Sequence, residues 1–171
     1  MIYVFLANGF EEIEALTPVD MLKRAGLEVE IIGVESKTVT GSHGIKVEAD
    51  SKLADIHHEE IFADEIEAIV LPGGMPGTEN LYKSQGLCEI VKLCYDKGIL
   101  IAAICAAPII LGRLGILKGK RATVFPGYQE ELMGADIQDT HVTRDGNIIT
   151  AKGMGVSIDF SAEIISYLID K

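Results

Sequence analysis

The residues of this chain best equipped for covalent chemistry are Cys105 and Glu14, with Gly73, Gly74 and Ala106 as main-chain partners. Cys105 closes the apolar run Gly98 to Cys105, which reads GILIAAIC and is followed at once by Ala106, Ala107 and Pro108. Small residues suit a cramped turn, and proline is favoured in the first turn of a helix, where its missing N–H is not needed. The sulfur is therefore expected at the end of a buried strand and the start of a helix, a nucleophile-elbow position. Unpaired amides and the partial positive charge of a helix end stabilise an anion there. Because the thiolate is the nucleophile, a shift from about 8.5 to about 6, worth roughly 3 kcal/mol, would leave Cys105 mostly ionised at neutral pH. The alternative is a small buried core residue, which is what most free cysteines are.

Two further segments offer partners. Leu71, Pro72, Gly73 and Gly74 end another apolar stretch, and adjacent glycines let the backbone approach a ligand with its N–H groups turned inward. With the amide of Ala106, that of Gly74 would give the two donors needed where charge develops on a carbonyl oxygen. An ordinary strand-to-helix loop would read the same way. The segment Asn8 to Glu14, NGFEEIE, crowds three acids at a helix start. Glu11 and Glu12 need only the favourable dipole of a first turn. Glu14 lies deeper, between Ile13 and Ala15, where an inward carboxyl group would be kept protonated by desolvation. A protonated Glu beside a thiolate can donate a hydrogen bond and shuttle a proton, which contributes about 10²- to 10⁴-fold to a rate. A solvated helix-surface glutamate is the plainer alternative.

The elements that must position these groups follow from hydropathy. Short apolar runs at residues 2–7, 28–34 and 68–71 alternate with amphipathic segments at 13–25 and 80–95, the pattern of βαβ units around a parallel sheet. The run ending at Cys105 lacks every-other-residue polarity, so both its faces are expected to be covered and its place is near the sheet's centre. Residues 36–49, with Gly41 and Gly44, read as short β pieces, and 144–147 (RDGN) as a hairpin turn, both small antiparallel additions. The chain closes with a helix over 156–169, with Ile158, Ala162, Ile165 and Ile169 at helical spacing. Cys88 and Cys94 fall in an amphipathic helical pattern and are assigned to packing. One domain over residues 1–171 is expected.

Composition narrows the class. Of 171 residues, 48% are hydrophobic and 24% charged, a globular composition. The net charge of -11 repels phosphate backbones and anionic lipid, so nucleic acid is not an expected direct partner. Three cysteines without CxxC or metal-type spacing point to a reducing compartment and to no metal site. With no basic leader pattern and no apolar run of about 18 residues, a cytoplasmic protein without a membrane span is expected.

Taken together, FEEIEALTPVDMLKRAG, IVLPGG, IAAICAAP and GMGVSIDF resemble the DJ-one/ThiJ/PfpI family, in order and over nearly the whole chain. The resemblance implies a flavodoxin-like three-layer α/β/α sandwich and a homodimer. It places the family's nucleophilic cysteine on Cys105, the acid that hydrogen-bonds it on Glu14, and the oxyanion-type amides on Gly74 and Ala106, with Gly73 beside them. Phe10, His43, Phe125 and Lys152 become expected rim residues. Ala106 stands where the protease-like branch has histidine, which argues against peptidase activity. Phe125 stands where the human member has a pocket histidine, Lys152 where it has arginine, and Met154 where the family usually has proline. Neither His57, His58 nor His141 matches a catalytic position. Gly153, Met154 and Gly155 are half of a dinucleotide fingerprint, but no βαβ unit follows, so no nicotinamide site is read.

The activity so implied is a cofactor-independent glyoxalase or deglycase acting on small reactive carbonyls such as methylglyoxal. The alternative is an oxidative-stress sensor or holding chaperone switched by oxidation of Cys105. A third reading, a glutamine amidotransferase-like hydrolase, needs a late His-Glu pair that this sequence does not have.

Overall fold

The computed structural model describes residues 1–56 and 66–170. The expected strands at the start of the chain form as β1 (Ile2–Leu6) and β2 (Val29–Gly33), joined by α1 (Glu12–Arg24). Helix α1 begins where the Glu11 side chain accepts the Glu14 amide at 2.7 Å, and it carries acids in its first turn and Lys23 and Arg24 in its last, each favourable to the helix dipole. The short strands β3 (Thr38–Thr40) and β4 (Lys46–Glu48) form the expected antiparallel hairpin, and β5 (Ser51–Lys52) adds to the main sheet. Then come β6 (Ala68–Leu71), α2 (Gly77–Lys83), α3 (Gln85–Asp96), β7 (Leu100–Ile104) and α4 (Pro108–Arg113). The last part holds β8 (Arg121–Ala122), β9 (Asp136–Ile137), β10 (Val142–Asp145), β11 (Ile148–Ala151) and α5 (Ser157–Ile169).

Seven strands make one sheet in the order β10-β11-β7-β6-β1-β2-β5, parallel throughout except for edge strand β10. Alternation along each strand feeds two cores. Tyr3, Phe5, Ile69, Leu71, Ile101 and Ala103 meet α2, α3 and α4 through Leu81, Leu87, Ile90, Val91 and Ile109. Ile2, Val4, Leu6, Val70, Ala102 and Ile104 face the other way, onto Ala15 and Leu22 of α1 and Phe160 and Ile164 of α5. The result is a three-layer α/β/α sandwich of flavodoxin-like type, with β7 covered on both faces as its unbroken apolar run requires.

Register decides where the chemistry goes. Val4 pairs with Val70, Leu71 with Ala103, and Ile104 with Ala151, so the carboxyl ends of β1, β6, β7 and β11 lie level. The loops that follow these strands carry residues 7–11, 72–76, 105–107 and 152–156, and they meet at the edge where ligands bind in open α/β sheets.

Three expectations need correction. The 80–95 segment is two helices, because the chain leaves helical geometry at Ser84, whose hydroxyl then accepts the Leu87 amide at 3.4 Å. Strand β11 is no small addition: its hairpin with β10 forms at 144–147, yet β11 itself pairs in parallel with β7 inside the main sheet. Helix α5 buries Phe160 and Ile164 with Ser157 and Ser161 and leaves Ile158 and Ile169 exposed, so its inward face is rotated from the one the isoleucine spacing suggested.

Candidate active site

Cys105 follows β7 with φ 64°, the one positive value among described residues other than glycine. A side chain in that left-handed region is strained unless its surroundings hold it. Both ends are held: the Cys105 amide donates to the Ala151 carbonyl at 2.8 Å, and its carbonyl accepts the Phe125 amide at 2.9 Å. The half-buried sulfur receives the amides of Ala106 and Gly74, the latter glycine at φ 89°, where a side chain would collide with the Glu11 backbone.

Glu14 lies in the first turn of α1 and points inward, 1% exposed. Its Oε2 accepts the Gly73 amide at 3.0 Å, the Met154 amide reaches the same carboxyl group, and the Cys105 thiol is hydrogen-bonded to it. Gly73 is thus the positioner of the acid, while Gly74 and Ala106 serve the sulfur. The glycine is required sterically, since a β-carbon there would lie 2.7 Å from Glu14 Oε2.

The electrostatics of the pair correct one expectation. Burial pushes Glu14 up to about 7, against the hydrogen bonds from Cys105, Gly73 and Met154. Burial, then the neighbouring Glu14 charge, pushes the Cys105 thiol up to about 12, with the amides of Ala106 and Gly74 pulling the other way. The expected lowering of the sulfur by a helix end is not met. Helix α4 has only six residues, and a carboxylate in contact with the sulfur opposes an anion more than two amides favour it. Above about pH 7 the resting pair is a thiol donating to a carboxylate, and the sulfur becomes nucleophilic as Glu14 takes its proton.

Beside the thiol lies a 340 Å³ pocket whose walls include Phe125, Pro126, His141, Lys152, Gly153 and Met154. A β-carbon at Gly153 would sit 3.8 Å from the Cys105 sulfur and 3.2 Å from the Phe125 ring, so this glycine is the floor shared by thiol and pocket. Phe125 and Lys152 line this pocket, with the Lys152 ammonium paired to Asp139. Phe10 does not: it is fully buried in the core under α1. His43 does not line this pocket either. Its ring is held at 2.8 Å by Glu12, which also accepts the His43 amide at 2.7 Å and so clamps the β3–β4 hairpin. His57 and His58 lie outside the described residues.

Sequence reasoning missed the Met154 amide and His141. The signal was available in Gly153-Met-Gly155, since a glycine-flanked loop directly after a buried strand lets backbone approach a ligand.

Likenesses to known proteins bear on family and fold. A sequence profile of the DJ-1/PfpI family matches residues 1–167. The chain belongs to the DJ-1/PfpI family. Among curated relatives, Arabidopsis thaliana protein DJ-1 homolog A is 40% identical over 170 residues, 97% of this chain. This chain spans only 42% of that relative and 37% of Arabidopsis DJ-1 homolog B. The Danio rerio Parkinson disease protein 7 homolog is 37% identical over 96% of this chain and 87% of its own length. A deglycase from Pyrococcus abyssi is 32% identical over 98% of each chain. Among solved structures, a cysteine-to-alanine variant of a DJ-1 superfamily protein from Salmonella typhimurium superposes with a TM-score of 0.91 at 34% identity, covering 99% of this chain and 90% of that one. Oxidized DJ-1 of Toxoplasma gondii gives 0.90 at 32% identity, covering 99% and 91%. Among the described residues no helix is long and apolar enough to cross a membrane.

Proposed function

We propose that this DJ-1/PfpI chain is a cofactor-independent glyoxalase or deglycase that turns small α-dicarbonyls into hydroxy acids. The observation that carries this reading is the hydrogen bond between Glu14, held at about 7, and the thiol of Cys105. A group titrating near working pH is suited to accept and return protons.

The sulfur attacks the aldehyde carbon as Glu14 takes the thiol proton, and that proton passes to the aldehyde oxygen to give a hemithioacetal. Glu14 then removes the hydrogen from the former aldehyde carbon, leaving an enediolate. Stabilisation of its oxygen is assigned to the amides of Gly74 and Ala106, which donate to the sulfur in the resting site. Protonation of the neighbouring carbon by Glu14 gives a thioester, and water cleaves its C–S bond to release the hydroxy acid and the thiol. One carbon is oxidised and its neighbour reduced, so one water is consumed and no external oxidant is needed. The name of the Pyrococcus relative supports the deglycase side of this reading. Consumption of free dicarbonyl also pulls reversible amine adducts apart by mass action. Lactate formation from methylglyoxal by wild type, Cys105→Ala and Glu14→Ala tests the proposal, and a wild type that forms no lactate sinks it.

A second reading, a redox sensor, is supported by the same donors, which would hold the oxygens of a sulfinic acid, and by the oxidized state named for the Toxoplasma relative. It ranks second because oxidation follows thiolate character, which the raised thiol lacks. Peroxide titration with intact mass decides: the sensor fails if Cys105 stays reduced while Cys88 oxidises.

The homodimer is proposed on the resemblance, with support from a groove between α1 and α5. Ile13, Ile45 and Ile158 line it with 47%, 53% and 66% of their surface exposed, together with Leu16 and Met21. A second copy is the occupant proposed, in a cytoplasmic setting.

A further inference from the structure

The geometry points to an apolar side-group pocket that selects dicarbonyls carrying an aromatic or bulky alkyl substituent over methylglyoxal. This inference rests on the proposed chemistry at Cys105 and names the substrate class within it.

The pocket is built onto the reacting groups. Its Phe125 wall hangs from the Cys105 carbonyl by the 2.9 Å amide bond, its Met154 wall hangs from the Glu14 carboxyl group, and its Gly153 floor adjoins the sulfur. Glycine at 153 puts no side chain where a β-carbon would lie 3.8 Å from the sulfur, which is the route the proposal gives to a substituent on the attacked carbon's neighbour. Phe125 and Met154 line it and are 45% and 50% exposed overall, so they offer apolar area that a phenyl or branched alkyl group covers better than a methyl group does. Pro126 and Val156 continue the apolar lining. Lys152 brings an ammonium to the wall, and Asp139 already pairs with it, so it does not demand an ionic substituent. At 340 Å³ its size lies at the lower end of small-molecule sites.

The test compares kcat/KM for phenylglyoxal, read as mandelate, with that for methylglyoxal, read as lactate. Wild type is expected to favour phenylglyoxal by about tenfold or more, the scale set by extra apolar contact in a pocket. The preference is expected to shrink toward unity in Phe125→Ala and in Met154→Ala. A wild-type ratio of one or below overturns the inference while leaving the proposed chemistry standing. If neither compound is consumed, the proposed chemistry fails and the pocket is judged without turnover. Alkylation of Cys105 by phenacyl bromide and by bromoacetone, each divided by its rate with N-acetylcysteine, is then compared. A relative excess for the aryl reagent upholds the pocket, and equal relative rates overturn it.

Discussion

Gly73 stands so close to Cys105 that a methyl group on its α-carbon would lie 2.6 Å from the cysteine β-carbon. The same methyl would crowd Glu14 Oε2 and, at 2.9 Å, the Ile104 carbonyl, and backbone cannot yield as a flexible side chain can. Gly73→Ala is expected to destabilise the fold by about 1 to 3 kcal/mol, as overpacked sites do, and to separate acid from thiol. Urea unfolding and lactate formation measure the two effects. A variant with wild-type turnover would show that the contact between Glu14 and Cys105 is dispensable.

Glu14 sets a pH dependence of defined sign. The group that must accept the thiol proton is raised to about 7, so kcat/KM is expected to climb as pH rises through about 7. Glu14→Gln is expected to lose about 10²- to 10⁴-fold in turnover. Its Cys105 alkylation midpoint should nevertheless fall, because the negative charge that opposes the thiolate is gone. An alkylation midpoint that rises instead would contradict the assignment of Glu14 charge as a cause of the raised thiol.

Stability should follow the same residue in the opposite direction. A carboxyl group raised in the folded state binds more protons folded than unfolded between its ordinary range and about 7. Its contribution to stability is therefore present at low pH and is lost as pH rises through about 7. Denaturant midpoints of wild type and Glu14→Gln across that window should converge at the acid end and separate above it.

Glu12 supplies the contrasting case. Burial alone would raise it, but the ring and amide of His43 and the amide of Ile45 outweigh burial and hold it below the ordinary carboxylate range. Its stabilising effect is present above that range and is lost as pH falls below it. Glu12→Ala removes the acceptor for those donors of the β3–β4 hairpin, which sit on exposed residues that water can reach, and is expected to cost about 1 kcal/mol, read by urea unfolding.

Ile158→Glu tests the proposed second copy. A charge placed on that 66% exposed face is expected to shift the sedimentation coefficient from dimer to monomer without lowering the melting temperature of the protomer. An unchanged dimer would place the interface elsewhere.

How much of this was legible beforehand varies with the physics involved. The run ending at Cys105 declared a two-sided buried strand because nothing polar interrupts it, and Pro108 marked the helix start. Glu14 could be suspected from its apolar neighbours, but its contact with Gly73 depends on strand pairing that no local pattern encodes. Phe10 is expected at the rim only through the resemblance, yet loop side chains can turn into the core, as this one does. The break at Ser84 does have a local signal, since Lys83-Ser-Gln-Gly86 interrupts the apolar spacing and Ser84 caps the helix that follows. The rotated face of α5 arose because small Ser157 and Ser161 let the helix settle where larger residues would not.

The level strand ends have a consequence during synthesis. Cys105 and Glu14 leave the ribosome well before residues 148–156, which supply the Ala151 carbonyl, the Gly153 floor and the Met154 amide. Until then the chain carries the cysteine and the acid without the backbone that holds them together, and the candidate centre is complete only when the late strand pairs with β7.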